Sequence, residues 1–354
     1  MEKQRWTIVD SHEDIAFNSL TLGRDFLVST SETRKREGPP SASGAATVGF
    51  PEMERANVRV VLASIWAAKC HNITGIRFNP CYETPEEAYA QGQQQLSYYE
   101  KLTKNPRISI IRTKRDLETA VNGEYHLGLV MSMEGADPII SPKQIHEWVR
   151  SGLRVVGLAH GETRYSGGTT QPGPLTPLGR ELLAEIQNEP IILDTSHMAE
   201  KSFFEAFDLF HGPVIATHSN CRFLVPTDRH LSDEMIRAIV KRDGMIGIVI
   251  YNKFLNPDWD KNGRLKERVT LGDVIKHVKH LRDVAGNTNN IGIGSDLDGG
   301  FGAESIPAEM DTIADLPKIG DALLEAGFSE DEVTGIMGKN WLRFLSNHLP
   351  NESP

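Results

Sequence analysis

Eight short apolar, β-branched runs recur along this 354-residue chain, and helix-like amphipathic stretches separate most of them. The runs are "WTIVDSH" at 6–12, "VRVVLASIWA" at 58–67, "LGLVMSMEG" at 127–135 and "LRVVGLAH" at 153–160. They continue with "PIILDTSH" at 190–197, "PVIATHS" at 213–219, "MIGIVIYN" at 245–252 and "NIGIGSDLDG" at 290–299. Near-continuous apolar strands of this kind belong to parallel sheets covered on both faces. Eight strand-then-helix units in one chain predict an α/β fold, a (β/α)₈ TIM-type barrel. A doubly wound open sheet also uses such units but gives no reason for eight of them. Thr176 is expected to cap a helix over "PLGRELLAEI", and Gly-terminated stretches follow the fifth and sixth runs.

The chain reads as a single barrel domain, 1–354, with insertions at about 15–57 and 68–126 and closing helices from about 310. Both insertions follow strands, on the face where barrel active sites form. The first, with its small-residue middle "SASGAATVG", is expected to act as a lid or pocket wall.

The net charge of −10, from 48 acidic and 38 basic residues, argues against nucleic-acid binding, which needs a basic face. No run approaches the roughly 18 apolar residues of a membrane span, and "MEKQRWTIVD" carries no secretory leader pattern. Cys70, Cys81 and Cys221 are scattered and odd in number, so free thiols in a reducing cytoplasm are expected.

Chemistry-bearing residues gather at the ends of the runs. They are His12 and Asp14, then Glu134, His160, His197, His218, Tyr251, and Asp296 with Asp298. Singly, each has an ordinary role as a cap, turn former or half of an ion pair. A barrel, however, brings all its strand ends around one mouth. Several histidines and carboxylates converging there would be costly without a cation. Imidazole plus carboxylate suits zinc, with iron, cobalt or manganese as alternatives. The ligands outnumber the needs of one ion, which points to a binuclear metal centre at the C-terminal mouth and a water activated between two metals.

The segments "VDSHED", "SMEGADPI", "LAHGETR", "LTPLGRELLAEI", "ILDTSHM", "THSN" and "IGIGSDLDG" resemble the renal (membrane) dipeptidase family of zinc peptidases, within the amidohydrolase superfamily. They occur in the family's order from residue 9 to about 300. The resemblance implies two zinc ions, with His12, Asp14 and Glu134 on one, Glu134, His197 and His218 on the other, and Glu134 bridging. It implies His160 facing the scissile carbonyl and Asp296 handling the proton. It also implies an arginine for the substrate carboxylate, mapped to Arg229 in "DRHLSDE", with Tyr251 helping to position the substrate.

The function expected is hydrolysis of dipeptides by a metal-bridging hydroxide, in a bacterial-type cytoplasmic enzyme. Its partner is a small-molecule substrate, with no nucleic acid or membrane, and a homodimer would be in keeping with the family. The same chemistry on an N-acyl amino acid, β-lactam or lactone is the alternative, and an inactive binding scaffold a further one. Asp298 is expected to be structural.

Overall fold

The computed structural model describes residues 6–40, 43–71 and 78–353. Eleven strands occur among them: β1 (Ile8–Glu13), β2 (Val58–Ile65), β3 (Ile108–Ile110), β4 (Leu127–Met133), β5 (Leu153–Gly157), β6 (Ser166–Gly168), β7 (Gln171–Leu175), β8 (Ile192–Asp194), β9 (Val214–Ala216), β10 (Met245–Ile248) and β11 (Ile291–Ile293). Parallel pairing runs β2-β1-β11-β10-β9-β8-β5-β4, and β2 also pairs with β4. That last ladder, Val60↔Gly128 through Ile65↔Met133, closes the ring. The eight expected strands are therefore the eight staves of a (β/α)₈ barrel. β3 lies outside the ring, against the N-terminal half of β4.

Inside the barrel, Val9, Val60, Leu62, Val130, Val155, Ile192, Ile215 and Met245 form one apolar layer with Trp341, Phe344 and Leu345 of the helix Asn340–His348. The closing helix thus belongs to the core, and Trp341 Nε1 donates to the Ile293 carbonyl at 3.1 Å. Nearer the mouth, β10 passes close to the β9 backbone. A Cβ on Gly247 would stand 1.9 Å from the Thr217 carbonyl oxygen, so only glycine fits there.

Helices form where caps and apolar spacing agree. Thr176 Oγ1 accepts from Gly179 N at 3.1 Å and starts Pro177–Ile186. Ser232 does the same for Asp233–Lys241 through Met235 N. In the second insertion a capping box of Thr84 and Glu87 starts the long helix Pro85–Leu102.

Two expectations change. Cys70 and Cys81 form a disulfide, leaving only Cys221 as a free and buried thiol. The loop leaving β2 turns back beside its own exit, with Cys70 N donating to Tyr82 O at 3.0 Å and Tyr82 N to Ala68 O at 2.8 Å. This return brings the two Cα atoms to 4.8 Å, a juxtaposition that cysteine count alone hides. The argument for a reducing compartment loses its support, because such bonds persist mainly in oxidising ones. Among the described residues, no helix is long and apolar enough to cross a membrane.

The first insertion supplies a piece of pocket wall and no lid: among its described residues only Phe17 reaches the central cavity. Residues 43–48 instead brace the loop after β11 (residues 41 and 42 lie outside the described part). Asp298 Oδ1 accepts from Thr47 N and Thr47 Oγ1, both at 2.7 Å, and Asp298 Oδ2 from Val48 N at 3.1 Å.

Candidate metal centre and substrate cavity

The C-terminal strand ends converge on Glu134, just past β4. Its Oε1 lies 3.1 Å from His197 Nε2 and 3.2 Å from His218 Nε2, and those two nitrogens are 3.0 Å apart. Tetrahedral ligands at 2.0–2.1 Å from zinc stand about 3.3 Å from one another. These three atoms therefore already occupy corners that one ion could share. Glu134 Oε2 faces the other way, 3.7 Å from His12 Nε2, and Asp14 Oδ1 is 3.8 Å from the same nitrogen. His12, Asp14 and Glu134 form a second group able to hold an ion, and His12, His218 and Asp296 a third. Both ring nitrogens of His12 are buried without a partner among the described residues. Orphaned nitrogens beside carboxylates are what a cation would satisfy.

A second layer of residues fixes the imidazoles. Thr217 Oγ1 donates to Asp194 Oδ2 at 2.6 Å and sits 2.7 Å from His218 Nδ1. Because that hydroxyl proton is committed to Asp194, His218 Nδ1 donates to Thr217, and Nε2 is left with its lone pair toward Glu134. Thr169 Oγ1, in the β6–β7 hairpin, lies 3.1 Å from His197 Nδ1. Ser64 Oγ donates to Asp14 Oδ1. His197 and Asp296 adopt left-handed backbone, φ 64° and 61°. Non-glycine residues are held there only where surrounding contacts over-determine them.

Burial dominates the electrostatics. It pulls His12 and His160 down to about 3, with Arg229 adding to the effect. His197 and His218 fall well below the usual histidine range for the same first reason. The histidines are thus neutral and free to donate lone pairs. Burial pushes Asp14 up to about 6 and raises Glu134 and Asp296 well above the carboxylate range. Bound dications would reverse that direction for the carboxylates.

A cavity of about 700 Å³ opens over this cluster, lined by Asp14, Glu134, His160, His197, Arg229 and Asp296 among others. Arg229 is 5% exposed. Its Nη2 donates to the His218 carbonyl at 2.8 Å and its Nη1 to Ser219 Oγ at 3.1 Å, while its buried Nε has no hydrogen-bond partner among the described residues. Arg222 points outward, paired with Glu200. Tyr251 lines the cavity and stacks on Phe301 at 4.2 Å. His160 packs between Trp66 and His197, at ring distances of 5.0 and 4.6 Å.

Of the residues singled out at the sequence level, Asp14, Glu134, His160, His197, Arg229, Tyr251 and Asp296 line the cavity, His12 and His218 join the ion-holding groups at its floor, and Asp298 turns away to Thr47, Val48 and Arg24. Thr169, Asp194 and Thr217 were not among them. A Thr or Asp beside a histidine run carries no signal until the fold sets its hydroxyl or carboxylate against the ring.

A parallel barrel with buried imidazoles and carboxylates at its C-terminal mouth has the frame of a metal-assisted hydrolase. Comparison with known proteins narrows that class. Residues 3–352 match the model of the membrane dipeptidase family, peptidase family M19, and the chain belongs to that family. It is a hydrolase of the dipeptidase class. An uncharacterised Klebsiella pneumoniae protein from the pqqA 5′ region is 28% identical over 72% of this chain and 94% of its own length. Dipeptidase tcpJ of Claviceps purpurea is 32% identical over 55% of this chain and 45% of its own. In structure, a Rhodobacter sphaeroides metallo peptidase liganded with a phosphinate mimic of the dipeptide L-Ala-D-Ala superposes with a TM-score of 0.79. The two are 23% identical, over 97% of this chain and 99% of that one.

Proposed function

We propose that this protein is a binuclear zinc dipeptidase. In this reading His12, Asp14 and Glu134 would hold one ion and Glu134, His197 and His218 the other. The observation that carries it is the Glu134 geometry: one carboxylate oxygen faces two histidine nitrogens and its other oxygen faces a third histidine. Zinc bound there would polarise the scissile carbonyl and lower the pKa of water toward neutrality, supplying a hydroxide nucleophile.

The chain's own residues would do the rest. Asp296, at the mouth and 3.9 Å from His12 Nε2, takes the proton from the attacking water and passes it to the leaving amine. His160 faces the carbonyl oxygen and stabilises the charge that develops there. Arg229 binds the substrate's terminal carboxylate. Its guanidinium lines the cavity and is held in place through Nη1 and Nη2, which fixes the position of its charge. Tyr251 walls the cavity beside it.

The test compares a dipeptide, its C-terminal amide, an N-acyl amino acid and a lactone on the metal-loaded protein. The free-acid dipeptide should be preferred, and Arg229→Met should erase the acid-over-amide preference, a loss of roughly 1.5–3 kcal/mol of transition-state binding. A parent enzyme that hydrolyses the lactone or the N-acyl amino acid far faster than any dipeptide would move the reading to that substrate.

A further inference from the structure

Three aromatic rings stand apart from the main core at one corner of the cavity. Phe17, Trp66 and Phe78 pack edge to face, with centroids 4.6 Å (Phe17–Trp66), 5.1 Å (Phe17–Phe78) and 5.5 Å (Trp66–Phe78) apart. With Ala68 they form their own small apolar cluster. Each is 7% exposed, and the little surface they keep faces the cavity. We propose that this aromatic corner is the subsite for the side chain on the acyl side of the scissile bond. It would select dipeptides whose N-terminal residue is aromatic or large and aliphatic. The assignment rests on the dipeptidase reading and on Arg229 as the carboxylate clamp.

Topology supplies the direction. Phe17 follows β1, Trp66 is the first residue beyond β2, and Phe78 comes from the loop that leaves β2. Arg229 lies in the loop after β9. Around the closed ring β2 and β9 are four strands apart by either route, β4-β5-β8 or β1-β11-β10. The aromatic corner and the clamp therefore face each other across the histidine–carboxylate cluster. A dipeptide with its carboxylate on Arg229 and its carbonyl between Glu134 and His160 sends its N-terminal side chain toward Trp66, whose ring already packs on His160.

The loops after β9 and β10 mix Thr227, Asp228, Lys253 and Asp260 with the rings of Tyr251 and Phe254, whereas the corner after β1 and β2 offers three packed rings with Asp14 as the charged group at its foot. Phe78 lies three residues before Cys81, whose bond to Cys70, with the Tyr82 N to Ala68 O bond of 2.8 Å, joins that side of the loop's stem to the exit of β2. A cavity of about 700 Å³ leaves room for a large side chain.

The experiment measures kcat/KM of the metal-loaded protein on the series Gly-Ala, Ala-Ala, Leu-Ala and Phe-Ala, and on the reversed series Ala-Gly to Ala-Phe. Leu-Ala and Phe-Ala should exceed Gly-Ala by about tenfold or more, the effect of burying one apolar side chain. In Phe78→Ala that ratio should collapse, while the rank order of the reversed series keeps the parent's pattern. Phe78→Leu, which retains an apolar wall, should keep the preference for Leu-Ala and lose that for Phe-Ala. It serves as the probe if the alanine variant does not fold. A flat first series from an enzyme that hydrolyses dipeptides, or a preference unchanged in both variants, overturns the subsite. Failure to hydrolyse any dipeptide with metal bound overturns the dipeptidase reading itself, and the subsite with it.

Discussion

Asp296 and Asp298 sit two residues apart in one loop, both with left-handed backbone, and the fold gives them different tasks. Asp298 spends its carboxylate on Thr47, Val48 and Arg24. Asp296 turns its carboxylate into the cavity, where burial and the neighbouring Asp14 hold it above the usual carboxylate range. Asp296→Asn should therefore keep the bound metal and lose about 10²–10⁴-fold in kcat, the usual contribution of a proton carrier. Metal analysis beside kinetics checks this. Loss of metal in the Asn variant would make Asp296 a ligand instead, with His12 and His218 as its partners. The residues that carry charge at strand ends were visible in the sequence because a barrel gathers strand ends by construction. Their supports were not: Thr217 accepts from His218 because Asp194 takes its hydroxyl proton, and Thr169 reaches His197 from a hairpin 28 residues upstream.

At the scale of elements, the first insertion buttresses the site from behind. Arg24 Nη2 donates to Gly44 O at 2.7 Å, Ala303 N to Ala45 O at 3.0 Å and Ile313 N to Thr47 O at 2.9 Å. Together with Asp298 these contacts fasten the insertion to the loop that carries Asp296. Asp298→Ala would leave the buried N–H of Thr47 and the half-buried N–H of Val48 without acceptors and Arg24 without its buried partner. Unsatisfied buried groups cost about 1–3 kcal/mol each, so the thermal midpoint should fall by several degrees. Because the same loop aims Asp296, kcat should fall with little change in KM. An unaltered melting curve would show that the insertion is held elsewhere. The eight barrel strands were legible because apolar β-branched runs bounded by polar ends are a local signal. The hairpin β6–β7 was not, since "SGGTTQPGPL" has the glycines and prolines of a loop, and its pairing is set by what it packs on. The Cys70–Cys81 bond was hidden for a similar reason, as it depends on a loop doubling back on the exit of β2.

Over the whole molecule, the barrel separates stability from chemistry along its axis. Its lower interior is an apolar layer sealed by Trp341 and Phe344. Its upper interior holds histidines stripped of charge by burial and carboxylates pushed toward the protonated form. That arrangement is poorly satisfied as it stands, with His12 lacking a hydrogen-bond partner at both nitrogens among the described residues, and two dications would resolve it. The account thus turns on Glu134, the carboxylate with one oxygen toward His197 and His218 and the other toward His12. The most direct measurement is a zinc titration of chelator-stripped protein, parent beside Glu134→Ala, with bound metal and dipeptide hydrolysis read on the same samples. Two zinc ions per parent chain are expected, with activity completed by the second, and neither tight binding nor hydrolysis in Glu134→Ala. Two tightly bound ions and parental turnover in Glu134→Ala would contradict this expectation.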